Sequence, residues 1–494
     1  MVMPKDTNDV QLPSDKIPMS AWKTLAILSL IATMAMYAET MLVPAIPDLI
    51  KDFSISYSTS SWILTTYLIA GAIMTPISGK LSDIYGKKKV LLIIMIIYAA
   101  GVSAGGFTTN IYSMLLVRLI QGVGISMFPI AFGIIRDEFP RSKIAIGQGI
   151  ITSMFAAGAV IGLVAGGHLI QNYGWQATFF SIIPIVLALL VIIKKFIHMD
   201  EAQNPNINSK ENRNEKFRNK IDIPGAITLA VSVTSFLLAL TFMENETSSG
   251  SYLIIGLVAV AIFSLILFVM IERKTKTPLI DFKVLLHKSI LPANIMVMIV
   301  GLSMFMVFQT IPVLVRSPNP LGFGEDPITT TNVQLPFALV LLIFGPASGF
   351  IISKLGSIKP IIAGSIISTA GFCALFLFHS TESLVAANLA LLSIGLSLTN
   401  VGAMNIVMLS TPKQSSGVSL GMSTLIRIIG SSIGPTIAGM YMQTHQMAIT
   451  GFAGYFPSAD SYNLIFLTAT IISVVSIVLA VILWRSVPKH IHAV

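Results

Sequence analysis

Charged side chains are scarce in this chain of 494 residues: Asp, Glu, Lys and Arg make up 11% of it. A soluble domain averages about 25%. Hydrophobic residues account for 54%, and the mean hydropathy is +0.83. The apolar runs are unbroken and roughly 20 residues long, which suits membrane helices rather than the short alternating strands of a barrel. The composition therefore excludes an ordinary soluble domain and predicts an all-α polytopic membrane protein.

Cysteine is almost absent, because Cys373 is the single cysteine. No disulfide can form within the chain, and a cysteine metal site is excluded; we expect no metal site. The sequence also lacks a Walker motif, H-E-x-x-H and G-x-S-x-G, so neither ATP drive nor hydrolysis is supported. We therefore expect a protein that is not an enzyme and needs no bound cofactor. The first twenty residues have no apolar core, which argues against a secretory signal.

Fourteen apolar spans are predicted, and the positive charges orient them. With the N-terminus in the cytoplasm, cytoplasmic segments hold all but four of the 31 Lys and Arg residues. The exceptions are Lys51 and Arg316 outside, and Arg118 and Arg427 within spans. This asymmetry follows the positive-inside rule and predicts a multi-pass protein of the cell membrane with both termini in the cytoplasm. The net charge of +9 is thus a topology signal, and we expect no nucleic-acid partner.

Two motif pairs recur at nearly the same offset along the chain. GKLSDIYG from Gly79 matches GFIISKLG from Gly349, and GAVIGLVAGG from Gly158 matches GSSIGPTIAG from Gly430. Parallel repeats of this kind are typical of transporters whose binding site lies between the two halves. The predicted organisation has six parts: a cytoplasmic tail 1–20, a six-helix bundle 21–195, a cytoplasmic linker 196–222, two inserted helices with a loop 223–289, a second six-helix bundle 290–485 and a cytoplasmic tail 486–494.

Glu39 is the only acid within a predicted span, here about residues 22–44. A carboxylate in hydrocarbon costs roughly 2.5–3.5 kcal/mol, so it needs a reason to be there. By helix rise, Glu39 and Arg118 both fall in the outer half of the membrane. Three alternatives stay open: a static salt bridge, a protonation switch beside a cavity, or no contact. Arg427 has no acid on its own helix, so it either binds an anionic group or bonds to backbone carbonyls.

The loop GKLSDIYGKKK, residues 79–89, resembles the signature loop of the major facilitator superfamily, and RLIQGVG, residues 118–124, resembles its second motif. The resemblance implies that Asp83 belongs to a latch at the inner face, with Arg136 as its candidate partner. Ser353 stands where Asp83 would be in the second half, so we expect a one-sided latch. The predicted gating residues are Gly79, Asp83, Gly86, Lys87 and Arg136.

GAVIGLVAGG, residues 158–167, is similar to the antiporter motif of drug exporters. The family has a proline at the position of Leu163, so plain helix packing through small residues is the alternative. The antiporter-like residues are Gly158, Gly162, Leu163, Gly166 and Gly167.

With PAIPDL at 44–49 and GWQATFFSIIPI at 174–185, the chain resembles the fourteen-span drug:proton antiporter branch. This implies two six-helix bundles plus two inserted helices, and export of amphipathic or cationic small molecules by alternating access, driven by a proton gradient. The expected partners are a small-molecule substrate, protons and the lipid bilayer, with the chain acting as a monomer. The candidate cavity residues, for which core filling is the alternative, are Trp62, Tyr67, Phe128, Phe155 and Arg427.

Two other functions remain open. One is a symporter or uniporter of a polar or anionic metabolite, with Arg118 and Arg427 as an anion clamp. The other is a membrane sensor or scaffold that transports nothing.

Overall fold

The computed structural model describes residues 16–42, 45–55, 57–197, 222–244, 251–275, 278–412, 415–449 and 455–486. The two predicted tails and the predicted linker lie almost wholly outside these ranges. The helices of the described part are α1 (Met19–Thr40), α2 (Ile46–Asp52), α3 (Tyr57–Tyr85), α4 (Lys87–Gly105), α5 (Ile111–Gly122), α6 (Met127–Glu138), α7 (Ile144–Tyr173), α8 (Gln176–Phe196), α9 (Ile223–Glu244), α10 (Ser251–Lys274), α11 (Phe282–Leu285), α12 (Ile290–Arg316), α13 (Pro327–Leu355), α14 (Ile358–Leu377), α15 (Glu382–Ser410), α16 (Ser416–Thr444) and α17 (Ala459–Ser486).

The described residues contain fourteen candidate membrane spans, as the sequence predicts. Helices α5 and α6 form one of them, joined by a 3₁₀ turn at Val123–Ser126. A short antiparallel hairpin, β1 (Gln446–Ala448) with β2 (Tyr455–Pro457), lies between α16 and α17. We call the face that carries the start of α1 the inner face, in keeping with the predicted orientation.

The first span is shorter than predicted, because α1 ends at Thr40. Proline at position 44 has no N–H to donate to the carbonyl of residue 40, which explains a helix end at that point. Glu39 therefore lies in the last turn of α1, closer to the outer end of the helix than the sequence predicts.

Glycines bring α1 and α7 into backbone contact. A Cβ at Gly158 would collide with the carbonyl of Thr33, and one at Gly166 would lie 2.5 Å from the carbonyl of Met41. The second half repeats the arrangement, since Gly430 and Gly434 of α16 meet backbone carbonyls of α12. The matched motifs thus occupy matched positions, as the internal repeat predicts.

The two halves meet at the inner face along two related seams. In the α3–α16 seam, a Cβ at Gly417 would clash with the Gly79 carbonyl, and one at Gly421 would lie 2.9 Å from Pro76 Cα. In the α7–α13 seam, a Cβ at Gly345 would lie 2.7 Å from the Gly149 carbonyl oxygen. Because no side chain separates these backbones, the inner face is closed.

The inserted pair docks through α9, which packs against α3 of the first half and also against α16 of the second half. The ring of Trp62 in α3 meets Phe242 of α9 edge to face, with ring centroids 5.3 Å apart. Ser232 of α9 donates a hydrogen bond of 2.8 Å to the carbonyl of Ala261 in α10. Only 17% of the α10 span is buried within the protein, so this helix presents most of its surface to lipid.

Candidate functional site

Glu39, in the last turn of α1, is half-buried and interacts electrostatically with two arginines, one from each half. Within the described residues its carboxylate accepts no hydrogen bond and has no cation within the 4.0 Å of an ion pair. Arg427 of α16 attracts it most strongly, and Arg118 of α5 attracts it less. No direct salt bridge joins Glu39 to Arg118, so the charges of the predicted pair attract each other only over a longer distance. The stronger partner, Arg427, was not predicted.

Arg118 is buried and held within the first half. Its Nη1 donates a hydrogen bond of 3.2 Å to Gln121 Oε1, and its guanidinium lies 5.2 Å from the centroid of the Tyr67 ring. Three buried groups around it lack a hydrogen-bond partner in the described part of the chain: Arg118 Nε, Gln121 Nε2 and the Tyr98 hydroxyl. The pocket formed by Arg118, Gln121, Tyr67 and Tyr98 therefore has hydrogen-bond donors that no described residue satisfies.

The break in the fourth span makes room for this pocket. A Cβ at Gly122 would meet the carbonyl of Tyr67, and one at Gly124 would lie 2.5 Å from Tyr98 Cδ2. The glycines of RLIQGVG thus let the chain of α3 and the Tyr98 ring of α4 approach closely. Sequence reasoning missed Gln121 and Tyr98. Gln121 was detectable from its spacing of three residues from Arg118 on a helix, whereas nothing in the sequence points to Tyr98.

Arg427 reaches across to the first half. Its guanidinium lies 5.8 Å from the ring centroid of Phe155 in α7, whose ring is 4.0 Å from that of Phe128. Among the described residues it donates no hydrogen bond, so it does not bond to carbonyls, which was one of its two predicted alternatives. A half-buried cation without a fixed partner, set against aromatic rings, is suited to contact a ligand or a mobile charge.

The predicted cavity residues separate into two groups. Tyr67 and Phe128 are buried next to the arginines, and Phe155 is half-buried beside Arg427. Trp62 instead packs on Phe242 of the inserted helix α9.

The antiporter-like motif lies directly against the helix that carries Glu39. Thr40 Oγ1 donates hydrogen bonds of 2.9 Å to the Met36 carbonyl and 3.1 Å to the Ala159 carbonyl of α7. The space for this hydroxyl comes from Gly162, where a Cβ would collide with it. By contrast, a Cβ at Gly167 would meet nothing within 4 Å. The side chain of Leu163 lies outside the described residues.

Asp83 latches the inner face, but its partner differs from the predicted one. Its Oδ1 accepts a hydrogen bond of 2.9 Å from the Gly417 N–H, and its Oδ2 accepts one of 3.1 Å from the Val418 N–H. Both amides lie in the first turn of α16, where unpaired N–H groups and the helix dipole favour a carboxylate. Among the described residues Arg136 forms no ion pair with Asp83, so the predicted partnership is not a direct contact and acts only as an attraction over a longer distance.

Arg136 also crosses to the second half, at a separate point. It donates hydrogen bonds to the carbonyl of Thr411 and, at 3.3 Å, to that of Pro412, just after α15. Asp83 and Arg136 therefore hold the two ends of the connection between α15 and α16. Ser353 donates to Phe350 on its own helix, so the matched loop of the second half supplies no equivalent contact across the halves through this side chain.

Gly86 and Lys87 shape the turn after α3. Gly86 has a φ of 93°, which glycine adopts without strain, and α4 starts at the next residue. Lys87 Nζ forms an ion pair of 2.6 Å with Asp137 and donates a hydrogen bond of 3.0 Å to the Gly133 carbonyl. Lys87 therefore fastens α4 to α6 behind the latch.

Comparison with known proteins places these features in a family. The family model described as Major Facilitator Superfamily matches residues 28–435 and 295–493. The multidrug transporter protein MdtP of Bacillus subtilis (strain 168) is 26% identical over 85% of this chain and 75% of that protein. The multidrug efflux pump LfrA of Mycolicibacterium smegmatis is 26% identical over 86% of this chain and 81% of that protein.

Among solved structures, the human organic anion transporter MFSD10 has a similar fold. Its TM-score is 0.64 at 13% sequence identity, over 94% of this chain and all of that one. The family match, the fourteen spans and the two related halves agree. The chain belongs to the Major Facilitator Superfamily of secondary transporters, and it is not an enzyme.

Proposed function

We propose that this protein exports amphipathic small molecules in exchange for protons, and that Glu39 is the residue that binds the proton. The observation that carries the proposal is that Glu39 interacts electrostatically with two arginines, Arg427 of the second half and Arg118 of the first. The protein acts as a single chain in the cell membrane, with both termini in the cytoplasm, and it needs no bound cofactor.

Glu39 suits a proton-binding role because its carboxylate is not fixed by hydrogen bonds within the described residues. It gains or loses a proton without breaking a hydrogen-bond network. Ionised Glu39 attracts Arg427, which belongs to the other half of the protein. Protonation removes that attraction, so it changes the relative stability of states in which the halves are close together or apart.

Exchange requires that proton and substrate exclude each other. A substrate that binds beside ionised Glu39 is released when a proton neutralises the carboxylate, and the proton is then carried the other way. Movement of one charge across 100 mV supplies about 2.3 kcal/mol, which drives export against a concentration gradient.

The rings around the arginines support an amphipathic substrate. Phe155 and Phe128 stack closely, and Tyr67 lies under Arg118. Aromatic surfaces combined with a few polar groups bind molecules that are apolar on one side and polar on the other. The names of MdtP and LfrA, a multidrug transporter and a multidrug efflux pump, point to the same substrate class.

A second function is supported by the surplus of positive charge and hydrogen-bond donors. Two arginines face one acid, and Arg118 Nε and Gln121 Nε2 have no partner within the described residues. If Glu39 is protonated, the site carries two uncompensated cations and attracts an anion. Proton and anionic metabolite then move together, which is symport.

A transport assay in proteoliposomes under an imposed pH gradient distinguishes the two functions. For export by exchange, a cationic dye is expected to move against the proton flow, and collapse of the gradient stops it. Proton uptake that depends on an added organic anion, with no dye movement, would support symport and overturn the exchange proposal.

A further inference from the structure

Residues 278–289 connect the inserted pair to the second half and cross the inner face; we call this segment the strap. We propose that this strap is a second closure of the inner face, which ties the inserted pair to both halves and limits how far that face opens. The inference does not depend on the substrate or on proton coupling, only on alternating access.

Glu272, near the end of α10, holds the start of the strap. Its Oε1 accepts a hydrogen bond of 3.1 Å from the Leu279 N–H, and its Oε2 accepts one of 3.2 Å from the Ile280 N–H. Glu272, Leu279 and Ile280 are each no more than 3% exposed. Hydrogen bonds that two buried amides donate to one carboxylate are strong and costly to lose. The strap is therefore fixed at this end.

Asp222 joins the beginning of α9 to the end of α10 at the same place. Its Oδ1 accepts from the Gly225 N–H at 3.0 Å, and its Oδ2 accepts from Thr275 Oγ1 at 3.2 Å. A Cβ at Gly225 would lie 2.6 Å from the Asp222 carboxylate and 2.7 Å from that of Glu272. The inner ends of α9 and α10 thus move as one unit with the start of the strap.

Lys80 connects the strap to the gating loop. Its Nζ donates a hydrogen bond of 2.9 Å to the Pro278 carbonyl. Lys80 precedes Asp83 by three residues on α3, so the two side chains lie about one helical turn apart. The same turn of α3 therefore holds the strap through Lys80 and the second half through Asp83.

The far side of the strap faces the second half. Ile280, Val284 and Leu285 line a small crevice together with Val418 and Met422 of α16. The chain then enters α12, which packs along α16 through Gly301 and Gly430. The strap thus begins on the first half and ends on the second.

Opening of the inner face separates α3 from α16. Helix α9 stays with α3 through Trp62–Phe242 and Thr65–Thr241, whereas α12 moves with the second half. The strap spans the widening gap, so it must release Lys80 and Glu272 or restrict the opening. When these anchors are released, a longer stretch of unanchored chain bridges the two halves, and they can move further apart.

The test measures inner-face separation by spin-label distances in a Cys373→Ser background. The labels replace Tyr85 of α3 and Leu355 of α13, which are 55% and 52% exposed and belong to different halves. The variants are Glu272→Gln and Lys80→Met. The matched control is Asp281→Asn, which alters a charge in the strap yet retains the oxygen that caps α11.

We expect Glu272→Gln and Lys80→Met each to raise the inner-open population about tenfold, and Asp281→Asn to leave it unchanged. Insertion of Gly-Ser-Gly between Leu286 and His287, both exposed, lengthens the strap, leaves Glu272, Lys80 and the hydrogen bonds of His287 to the start of α12 in place, and is expected to widen the opening as well. If Glu272→Gln fails to fold, Lys80→Met and the insertion still decide the matter. Unchanged distance distributions in those two folded variants would overturn the proposal.

Discussion

The hydroxyl of Thr40 donates a hydrogen bond of 3.1 Å to the carbonyl of Ala159, and so joins the helix of Glu39 to the glycine motif of α7. In an α-helix that carbonyl also accepts from the N–H four residues later, which belongs to Leu163. The position where this motif departs from the drug-exporter pattern is therefore linked to Thr40, the neighbour of Glu39 in the chain, through two hydrogen bonds on one oxygen.

Leu163→Pro should change coupling more than folding. Proline removes one N–H from α7, but the Ala159 carbonyl keeps its bond from Thr40. Helix α16 already contains Pro435 at the matched position. We expect near-normal expression with altered substrate-free proton leak, measured with a pH dye in proteoliposomes. Adding Thr40→Val should then cost stability, because the carbonyl loses its remaining partner. If leak and export both match the parent protein and only expression falls, the motif serves packing alone.

Glu39→Gln should abolish gradient-driven transport and preserve substrate binding. The amide has nearly the same shape as the carboxylate but binds no proton between pH 5 and 8. Transport is measured in proteoliposomes and binding by titration of the purified protein. Asp460→Asn, at an exposed acid in the first turn of α17, is the control and should transport normally. Full gradient-driven transport by the Glu39 variant would remove it from the coupling role.

Arg427→Gln should uncouple transport from the gradient more completely than Arg118→Gln. Arg427 exerts the larger attraction on Glu39 and belongs to the opposite half, so its loss removes the charge contact that protonation controls. Arg427→Lys keeps the charge and should retain part of the coupling. The measurement is the number of protons moved per substrate. Uncoupling by Arg118→Gln but not by Arg427→Gln would show that Arg118 is the partner of Glu39, as the sequence predicts.

Asp83→Asn should favour the inner-open state and slow turnover. The change weakens two hydrogen bonds that the amides at the start of α16 donate to the carboxylate. A loss of about 1.4 kcal/mol shifts a two-state equilibrium tenfold. Modification of cysteines placed between the halves at the inner face reports the shift. Ser353→Ala is the matched control, since that hydroxyl bonds only within its own helix. Equal modification rates in the two variants would contradict the latch.

Gly162→Ala should destabilise the protein, whereas Gly167→Ala should be neutral. A Cβ at Gly162 would meet Thr40 Oγ1 and lie 2.7 Å from the Tyr37 carbonyl, and one at Gly167 would meet nothing within 4 Å. Overpacking of this kind typically costs about 1–3 kcal/mol. Thermal unfolding in detergent compares the two variants directly. Equal melting temperatures would show that α1 and α7 separate easily at this point.

Local patterns in the sequence were enough for the fold and for the motifs, but not for the partners of the motif residues. Hydropathy and the recurring glycine motifs predict fourteen spans in two related halves, because they depend on short segments. Asp83 binds backbone amides of α16, and no side-chain pattern identifies such a partner. Arg427 faces Glu39 from the thirteenth span, a proximity that only the packing of the halves creates. In the sequence Glu272 is an ordinary acid at the end of a span, and no pattern there identifies the amides of Leu279 and Ile280 as its partners.

The two seams at the inner face have a kinetic consequence. At Gly79–Gly417 and Gly149–Gly345, backbone meets backbone, and the side chains nearest to these points are the short ones of Ser82, Asp83 and Ser153. Interleaved side chains would have to change rotamer and leave voids as the halves part, which raises an activation barrier. Backbone contacts at these points lower that part of the barrier, so the polar bonds beside them contribute more to the rate of separation. A single substitution at Asp83 or Arg136 is therefore able to alter the residence time of the closed state.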